Sequence, residues 1–573
     1  MRLFSVFALL LTVAGAQETL FRTVYHTPSD THVEATALFS TSPNIGYVPV
    51  RIKAVNNLNS NRTIHLRGAS KENYNTKISA GCSYSIEVPA GQVVTRDLLF
   101  PVRPPHSYSS SYNSPVHVSL SGGLGETEGH LAAGSPLDSP AALLSESIHT
   151  PNASSLDAAF KSVSSGSHYG RSTFAGKFTP GLLPDNWLAY SGFDALVLTA
   201  ADWSEIPAGP RSAIIAWLRQ GGRLVFVAAE NRPPSLPGLP DNTGLGTIST
   251  FVSATPAALN ASHFVSFIRS APTNSLAAAA ANDYARSWPL AAAFGTKEFD
   301  YTLFVVVLIA FSILVGPVNL FVFAKSGRRH RLFITTPLIS FGASLVMIGL
   351  IIFQDGFGGS GERRVLMEIQ QGDDGHTAHI HQEQISRSGI LLRPTFTVDP
   401  ACLIAQVPLA KSRWARFTND HDVSGNFDLQ PVAGKLDASG SWWQSRSEQG
   451  QYLSAIVPNR GRIERGSQPG TWVSTFPFPL ETIWFKDEAG KWSKASAIQT
   501  GTPFKPEPID EKSTMTAIKR EIDAFSARNA ALVESAQNRK SSFIAVTNSA
   551  PAIETLKSIR WQKTRTVITG VVE

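Results

Sequence analysis

Cysteine is scarce: the 573 residues hold two, Cys82 and Cys402, and no C-x-x-C pair. That excludes a zinc ribbon and a disulfide-dense scaffold. Outside the cytoplasm the two thiols have the chemistry to pair, yet they fall in different expected domains, so two buried free thiols are the simpler expectation. Charge is thin as well. Only 16% of residues are charged, against about 25% in an average soluble domain, while 43% are hydrophobic. The formal charge of +6 is not gathered into a basic run interleaved with aromatics, which removes nucleic acid as a partner. The signatures G-x-S-x-G, H-E-x-x-H and G-x-x-x-x-G-K-S/T are absent, and with them the common forms of α/β-hydrolase, zincin and P-loop enzyme. No cofactor is expected.

Two stretches lack charge altogether, from Tyr301 to Ala324 and from Leu332 to Phe353. Each meets the length of about 20 apolar residues that a helix needs to cross the hydrocarbon core, so a transmembrane hairpin is expected at 301–324 and 332–353. Its connector, 325–331, carries Lys325, Arg328, Arg329 and Arg331 and no acid, whereas the outer flanks carry Glu298, Asp300, Asp355 and Glu362. The positive-inside rule places that connector in the cytoplasm. Met1-Arg2, the apolar run Leu3 to Val13 and Ala14-Gly15-Ala16 form the three parts of a secretory signal, so residues 1–16 read as a signal peptide cleaved before Gln17. Residue 17 is not cysteine, which argues against a lipid anchor there. The expectation is a cell inner (plasma) membrane protein with its N- and C-terminal domains extracytoplasmic. Gly316-Pro317, Asn319 and Pro337 interrupt the spans. A kinked, packed hairpin accounts for them better than an ion path, because neither span contains an ionisable residue.

Residues 17–103 show short alternating runs, such as Tyr47 to Val55 and Val93 to Phe100, punctuated by Gly and Pro; an immunoglobulin-like β-sandwich is expected. Residues 104–140 are rich in Ser, Gly, Pro and Tyr and read as a linker with one candidate strand at Val116 to Leu120. The period then changes. Strands at Ala141 to Ser145, Asp194 to Leu198 and Leu224 to Ala228 alternate with helices at Leu156 to Val163 and Pro210 to Gln220, which implies a parallel α/β domain over 141–296. Its ligand crevice is expected at the carboxyl ends of the strands, at Asp202, Trp203, Glu230 and Asn231.

Leu183-Pro-Asp-Asn-Trp187, Tyr190, Phe193-Asp194, Ala201-Asp-Trp203 and Trp217-Leu-Arg-Gln-Gly-Gly222, followed by Gly316-Pro-Val-Asn319, resemble uncharacterised bacterial envelope membrane proteins. In those proteins a class I glutamine-amidotransferase-like domain precedes a transmembrane pair. The resemblance covers about residues 140 to 370. It implies a flavodoxin-like fold and brings no established activity. Active amidotransferases carry a nucleophilic cysteine on a tight strand-to-helix turn. Here Leu224 to Glu230 runs into Asn231-Arg-Pro-Pro234 and the domain has no cysteine, so a pseudoenzyme is expected.

Three further patterns match motifs. Gly356-Phe-Gly-Gly-Ser-Gly361 satisfies G-x-G-x-x-G, but a transmembrane helix precedes it and a strand follows, the reverse of a dinucleotide loop; a juxtamembrane linker is expected. Asp437-Ala-Ser-Gly-Ser441 has the form of a hard-metal adhesion site and reads more simply as a polar hairpin turn. His376, His379 and His381, with Asp373 and Asp374, are the weak metal candidates; an exposed strand with alternating His and Gln is the simpler reading.

Beyond the membrane, residues 354–573 read as an antiparallel β-rich domain with one helix, from about Glu511 to Ala536. The functional expectation is a membrane-anchored extracytoplasmic binding or scaffold component of an envelope complex, without evident catalysis. Its partners would be the membrane, through two spans, and another envelope protein. The alternatives are a hydrolase or transferase acting through Asp202 and Glu230, and an accessory subunit of a transporter.

Overall fold

The computed structural model describes residues 18–71, 78–103, 116–131, 139–163, 173–270, 275–280, 284, 287–295, 302–324, 326–372, 375–407, 409 and 425–572. Residues 1–16, expected to be a signal peptide, together with Glu298, Asp300, Lys325, Asp373, Asp374 and part of the expected 104–140 linker, lie outside the described residues. The protein is multidomain and mostly β, with several sheets and two long apolar helices.

Alternating apolar residues in the N-terminal strands build two layers. One is a four-stranded sheet in the order Glu18–His26, Thr31–Ala37, Gly46–Asn56, Gln92–Val102. The other has seven strands, and three of them come from beyond the membrane hairpin: Phe396–Val398, Lys435–Gly440 and Gly425–Val432 continue the layer that Ile78–Val88, Arg62–Lys71, Val116–Gly122 and Thr127–Leu131 begin. The seam is the parallel pairing of Gly425–Val432 with Ile78–Val88, Leu429 opposite Cys82, and Arg67 Nη2 donates to Asp428 Oδ1 across it at 2.7 Å. Val33, Val50, Ile64, Phe100, Leu429 and Ala438 belong to one buried core. Cys82 and Cys402 are both free and buried. The 116–131 stretch of the linker is thus a hairpin at the edge of this layer.

Next comes an all-parallel five-stranded sheet. Taken in chain order its strands are Ala142–Ser145, Ala175–Phe178, Ala195–Leu198, Arg223–Ala228 and Thr247–Val252, and across the sheet they lie second, first, third, fourth, fifth. The runs Leu143-Leu144 and Leu196-Val197-Leu198 are fully buried, as a sheet with both faces covered requires. The helices Glu146–Val163 and Ala208–Arg219 supply the cover.

The post-membrane region is organised on a nine-stranded sheet in which every neighbouring pair is antiparallel except Gly359–Gly372 with Ile559–Val571, which is parallel. The sheet is therefore mixed. The expected single helix is two, Glu511–Ile522 and Ala527–Gln537. The break falls where Ser526 turns extended and accepts the Asn529 N–H as an N-cap. These helices bury Ile518, Ile522, Leu532 and Val533 on one face of the sheet, and Ile463, Phe476 and Phe478 cover the other.

The two candidate spans are the long apolar helices Thr302–Phe323 and Arg329–Asp355, and almost none of their apolar surface is buried. That exposure separates them from core helices of a soluble domain. Pro317 sits in a π-helical stretch, Leu314–Phe323. There a proline's missing N–H and bulky ring widen the turn. Asn319 is buried between the helices: its Nδ2 donates to Thr336 Oγ1 at 2.9 Å, and Thr335 Oγ1 donates to Asn319 Oδ1 at 2.6 Å. Asn319→Leu should weaken association of the two helices by about 0.6–2 kcal/mol, read by reversible unfolding in bicelles. An unchanged stability would show that the pair carries no net energy.

Both roots of the hairpin are clamped to the head. Arg387 Nη2 donates to the Gly295 carbonyl at 2.8 Å and its guanidinium lies over Phe294, while Arg446 Nε meets the Asp355 carboxylate at 2.6 Å. The glycine-rich stretch after the second span is no linker. Gly358 donates to Ile390 O and Ile390 donates to Gly356 O, and the chain enters the long strand at Gly359. Gly358 has φ +80 and a Cβ there would stand 2.4 Å from Ser558 O, so glycine is required. Because Gly425–Val432 pairs with Ile78–Val88, any membrane that the spans cross leaves both flanks on one side.

Candidate functional site

The carboxyl ends of the parallel strands do not leave their polar groups free. Asp202 is buried. It completes a capping box with Thr199, receiving Thr199 N and Oγ1 at 2.8 Å each, and it accepts Ser145 Oγ at 2.7 Å and Ser147 Oγ at 2.9 Å. One carboxylate thus ties together the ends of two neighbouring strands. Trp203 is buried and donates Nε1 to Pro237 O at 3.2 Å, whereas Glu230 and Asn231 are exposed. None of the four lines the cavity described below.

The histidine strand, expected to be exposed, is Gly375–Ser388 and is largely buried, because it lies inside the nine-stranded sheet with both faces covered. His379 and His381 share one face and His376 lies on the other, as period two dictates. Among the described residues no group of three or more His, Cys, Asp or Glu is arranged to hold a metal. Burial and the Arg219 charge push His379 down to about 3, and burial with Arg528 holds His381 well below the usual range, so both rings are neutral. Asp437 lies on a strand, Lys435–Gly440, paired on both sides, and the turn is at Ala433-Gly434.

The cavity opens at the amino ends of the parallel strands, where the post-membrane domain docks. It measures about 550 Å³, within the range of roughly 300–1,000 Å³ usual for small-molecule sites. Asp194, Gln220 and Arg223 come from the strand-leading turns of the parallel sheet; His381, Tyr452 and Arg528 come from the other domain. Arg528 Nη1 donates to Tyr452 Oη at 2.8 Å. Tyr452 Oη lies 2.6 Å from His381 Nδ1 and has its own proton for that contact, which leaves the proton of the neutral ring on Nε2. His381 Nε2 and Gln220 Oε1 have no hydrogen-bond partner among the described residues. A buried polar atom left without a protein partner costs roughly 1–3 kcal/mol unless water or a ligand meets it.

Asp194 Oδ2 accepts the Ala141 N–H at 2.7 Å, yet burial raises its carboxyl to about 6, more than that bond, Ser275 and the Arg528 charge lower it. Between about pH 3.8 and 6 the folded state therefore holds a proton that the unfolded chain, with its carboxyl near 3.8, has released. Stability from this group is full below about pH 3.8 and is lost as pH rises through about 6. Asp194→Asn should flatten the pH dependence of unfolding between about 4 and 6, measured by denaturant titration at several pH values; an unchanged slope would assign the proton elsewhere.

No family model and no curated protein matches the chain. Solved structures do match. A cycloisomaltooligosaccharide glucanotransferase of Paenibacillus sp. aligns at 12% identity over 33% of this chain and 26% of its own, with a TM-score of 0.17. A calcium-binding mutant of Bacteroides uniformis β-glucuronidase 2 aligns at 9% over 38% and 25%, with a TM-score of 0.15. A β-glucuronidase from glycoside hydrolase family 2 aligns at 8% over 94% of this chain and 61% of its own, with a TM-score of 0.18. The chain thus spans about a quarter of the length of the first two. Scores this low carry neither a fold nor a function across.

The sequence singled out the carboxyl ends of the strands and passed over Asp194, Tyr452 and Arg528. Asp194 enters the sequence reading as the first residue of a buried strand and in the Phe193-Asp194 pair of the resemblance, with a site role in neither. The cavity depends on docking between segments about 250 residues apart, for which a local pattern carries no signal.

Proposed function

We propose that this is a membrane-anchored extracytoplasmic protein that acts by binding, as the ligand- or partner-holding component of an envelope complex, without catalysis of its own. The observation that carries it is the single head: chain from before and after the hairpin shares one sandwich and encloses one cavity. Cys82 and Cys402 suit no nucleophilic role, because burial pushes their thiols up to about 11 and 12. The strand order second, first, third, fourth, fifth supports a flavodoxin-like, degenerate amidotransferase-like domain, and the two-layered N-terminal sheets support an immunoglobulin-like module. Lys325, Arg328, Arg329 and Arg331 support an orientation in the inner membrane with the head outside the cytoplasm.

Two experiments test this. Single cysteines at exposed positions, Ser60→Cys and Ser467→Cys in the head, should react with an impermeant maleimide on intact cells, whereas Ser326→Cys in the connector should react only after permeabilisation; the opposite pattern inverts the topology. Purification of the full chain from native membranes should recover a stoichiometric partner, lost when Ser535→Trp fills the cavity. Recovery of no partner at any detergent strength would remove the complex from the reading.

A further inference from the structure

The side of the head next to the hairpin carries large apolar side chains that stay exposed among the described residues. Phe357 is 65% exposed and Leu392 is 81% exposed. Phe357 lies two residues past Asp355, where the second membrane helix ends. Leu392 belongs to the loop Gly389-Ile-Leu-Leu-Arg393, which three backbone hydrogen bonds hold against the helix end: Gly358 to Ile390 O at 3.0 Å, Ile390 to Gly356 O at 2.9 Å, and Gly389 to Gly358 O at 2.7 Å. The loop is fixed at its other side as well, where the Leu391 N–H reaches Ser445 Oγ at 2.9 Å. It is thus held at the level of the helix terminus, with Leu392 outward and the exposed Arg393 beside it.

We propose that Phe357, Leu392 and Arg393 form a foot that inserts into the outer interface of the bilayer, the two apolar side chains at the acyl boundary and the guanidinium on lipid phosphate. The occupant is the lipid itself, because the foot is continuous with the exposed apolar surface of the spans; Phe353, one turn before the foot, is 89% exposed. Amphipathic groups at that depth keep an apolar body in the hydrocarbon and a charged tip in the headgroups. The loop then acts as a third membrane contact that limits rocking of the head about the hairpin. The inference rests on the membrane reading of the spans.

The test is spin labelling of single cysteines in the full chain, in nanodiscs of phosphatidylcholine with and without phosphatidylglycerol. Cys82 and Cys402 are buried and stay unlabelled under native conditions. Labels at Leu392→Cys and Phe357→Cys should show a ratio of oxygen to nickel-chelate accessibility severalfold higher than Ser467→Cys, in both lipid mixtures. A ratio at both foot positions equal to that at Ser467 overturns the foot. So does a high ratio found only with phosphatidylglycerol, since that would be headgroup charge attraction without insertion. Leu345→Cys, in mid-span, separates the two claims: lipid accessibility there with an aqueous foot leaves the spans standing and sinks the foot, and an aqueous Leu345 sinks both.

Discussion

Glu383→Ala lowers the stability of the head by about 3–5 kcal/mol, the cost expected when buried donors lose their shared charged acceptor. Glu383 is fully buried in the strand Gly375–Ser388 and gathers donors from two directions. Tyr284 Oη at 3.3 Å and Trp288 Nε1 at 2.9 Å come from the segment that leads into the first span. Ser526 N at 3.1 Å and Ser526 Oγ come from the N-cap of the second C-terminal helix, and Asn529 Nδ2 at 2.6 Å from its first turn. Burial raises the Glu383 carboxyl, and the hydrogen bonds from Ser526, Trp288 and Tyr284 oppose that shift. Alanine leaves all of these donors facing a void. Glu383→Gln keeps the shape and one acceptor oxygen, so it should cost about half as much. Denaturant unfolding of the purified chain gives the magnitude, and hydrogen exchange gives the place: protection around Tyr284–Phe294 should fall first. Wild-type exchange in that segment would show that the knot is not what fastens it.

A second large effect is expected at Gly246. A Cβ on that residue would lie 1.9 Å from the Leu218 carbonyl oxygen and 2.7 Å from that of Gly222. Both obstacles are backbone, one at the end of the helix Ala208–Arg219 and one in the turn into the strand Arg223–Ala228, so no side chain can swing aside. Gly246→Ala must shift the strand Thr247–Val252 or the helix. The cost should reach or pass the upper end of the ~1–3 kcal/mol usual for overpacking. Leu245 makes the site more sensitive, because it is buried in the core formed with Leu532 and Val533 of the docked domain. Thermal unfolding should show the loss. Gly246→Ala with the wild-type midpoint would mean that the turn reorganises freely.

The two long apolar helices are legible because two runs of more than 20 residues without charge favour one continuous helix each, and the parallel strands because buried apolar runs alternate with helical period. The layer shared across the hairpin was not legible. Arg67 and Asp428 are 361 positions apart, and such a pairing leaves no mark on either strand alone. The histidine strand misled for a different reason. His379, His381, Gln382, Glu383 and Gln384 have the polarity of a solvated edge, yet each is buried, with Gln382 donating to Gln384 Oε1 and Gln384 donating to Gln451 Oε1. Polarity reports exposure only when no neighbouring chain supplies the hydrogen bonds. The one long helix became two because Ser526, ordinary in a helical stretch, is both an N-cap and a Glu383 ligand. Asp202 stands out in sequence as a crevice residue, and in the structure its carboxylate accepts hydrogen bonds from Thr199, Ser145 and Ser147.

The clamps at Gly295 and Asp355 have a practical meaning for anyone working with this molecule. Arg387, at the end of the strand Gly375–Ser388, and Arg446, two residues before the strand Glu448–Asn459, hold the two roots at one end of this strand pair, so the chain leaves the head and returns to it through neighbouring doorways. The hairpin is therefore an excursion from a finished body rather than a beam through it. A Gly-Ser bridge from Gly295 to Gly356 would remove the excursion and leave both paired strands intact; the bridged chain should keep a cooperative unfolding transition.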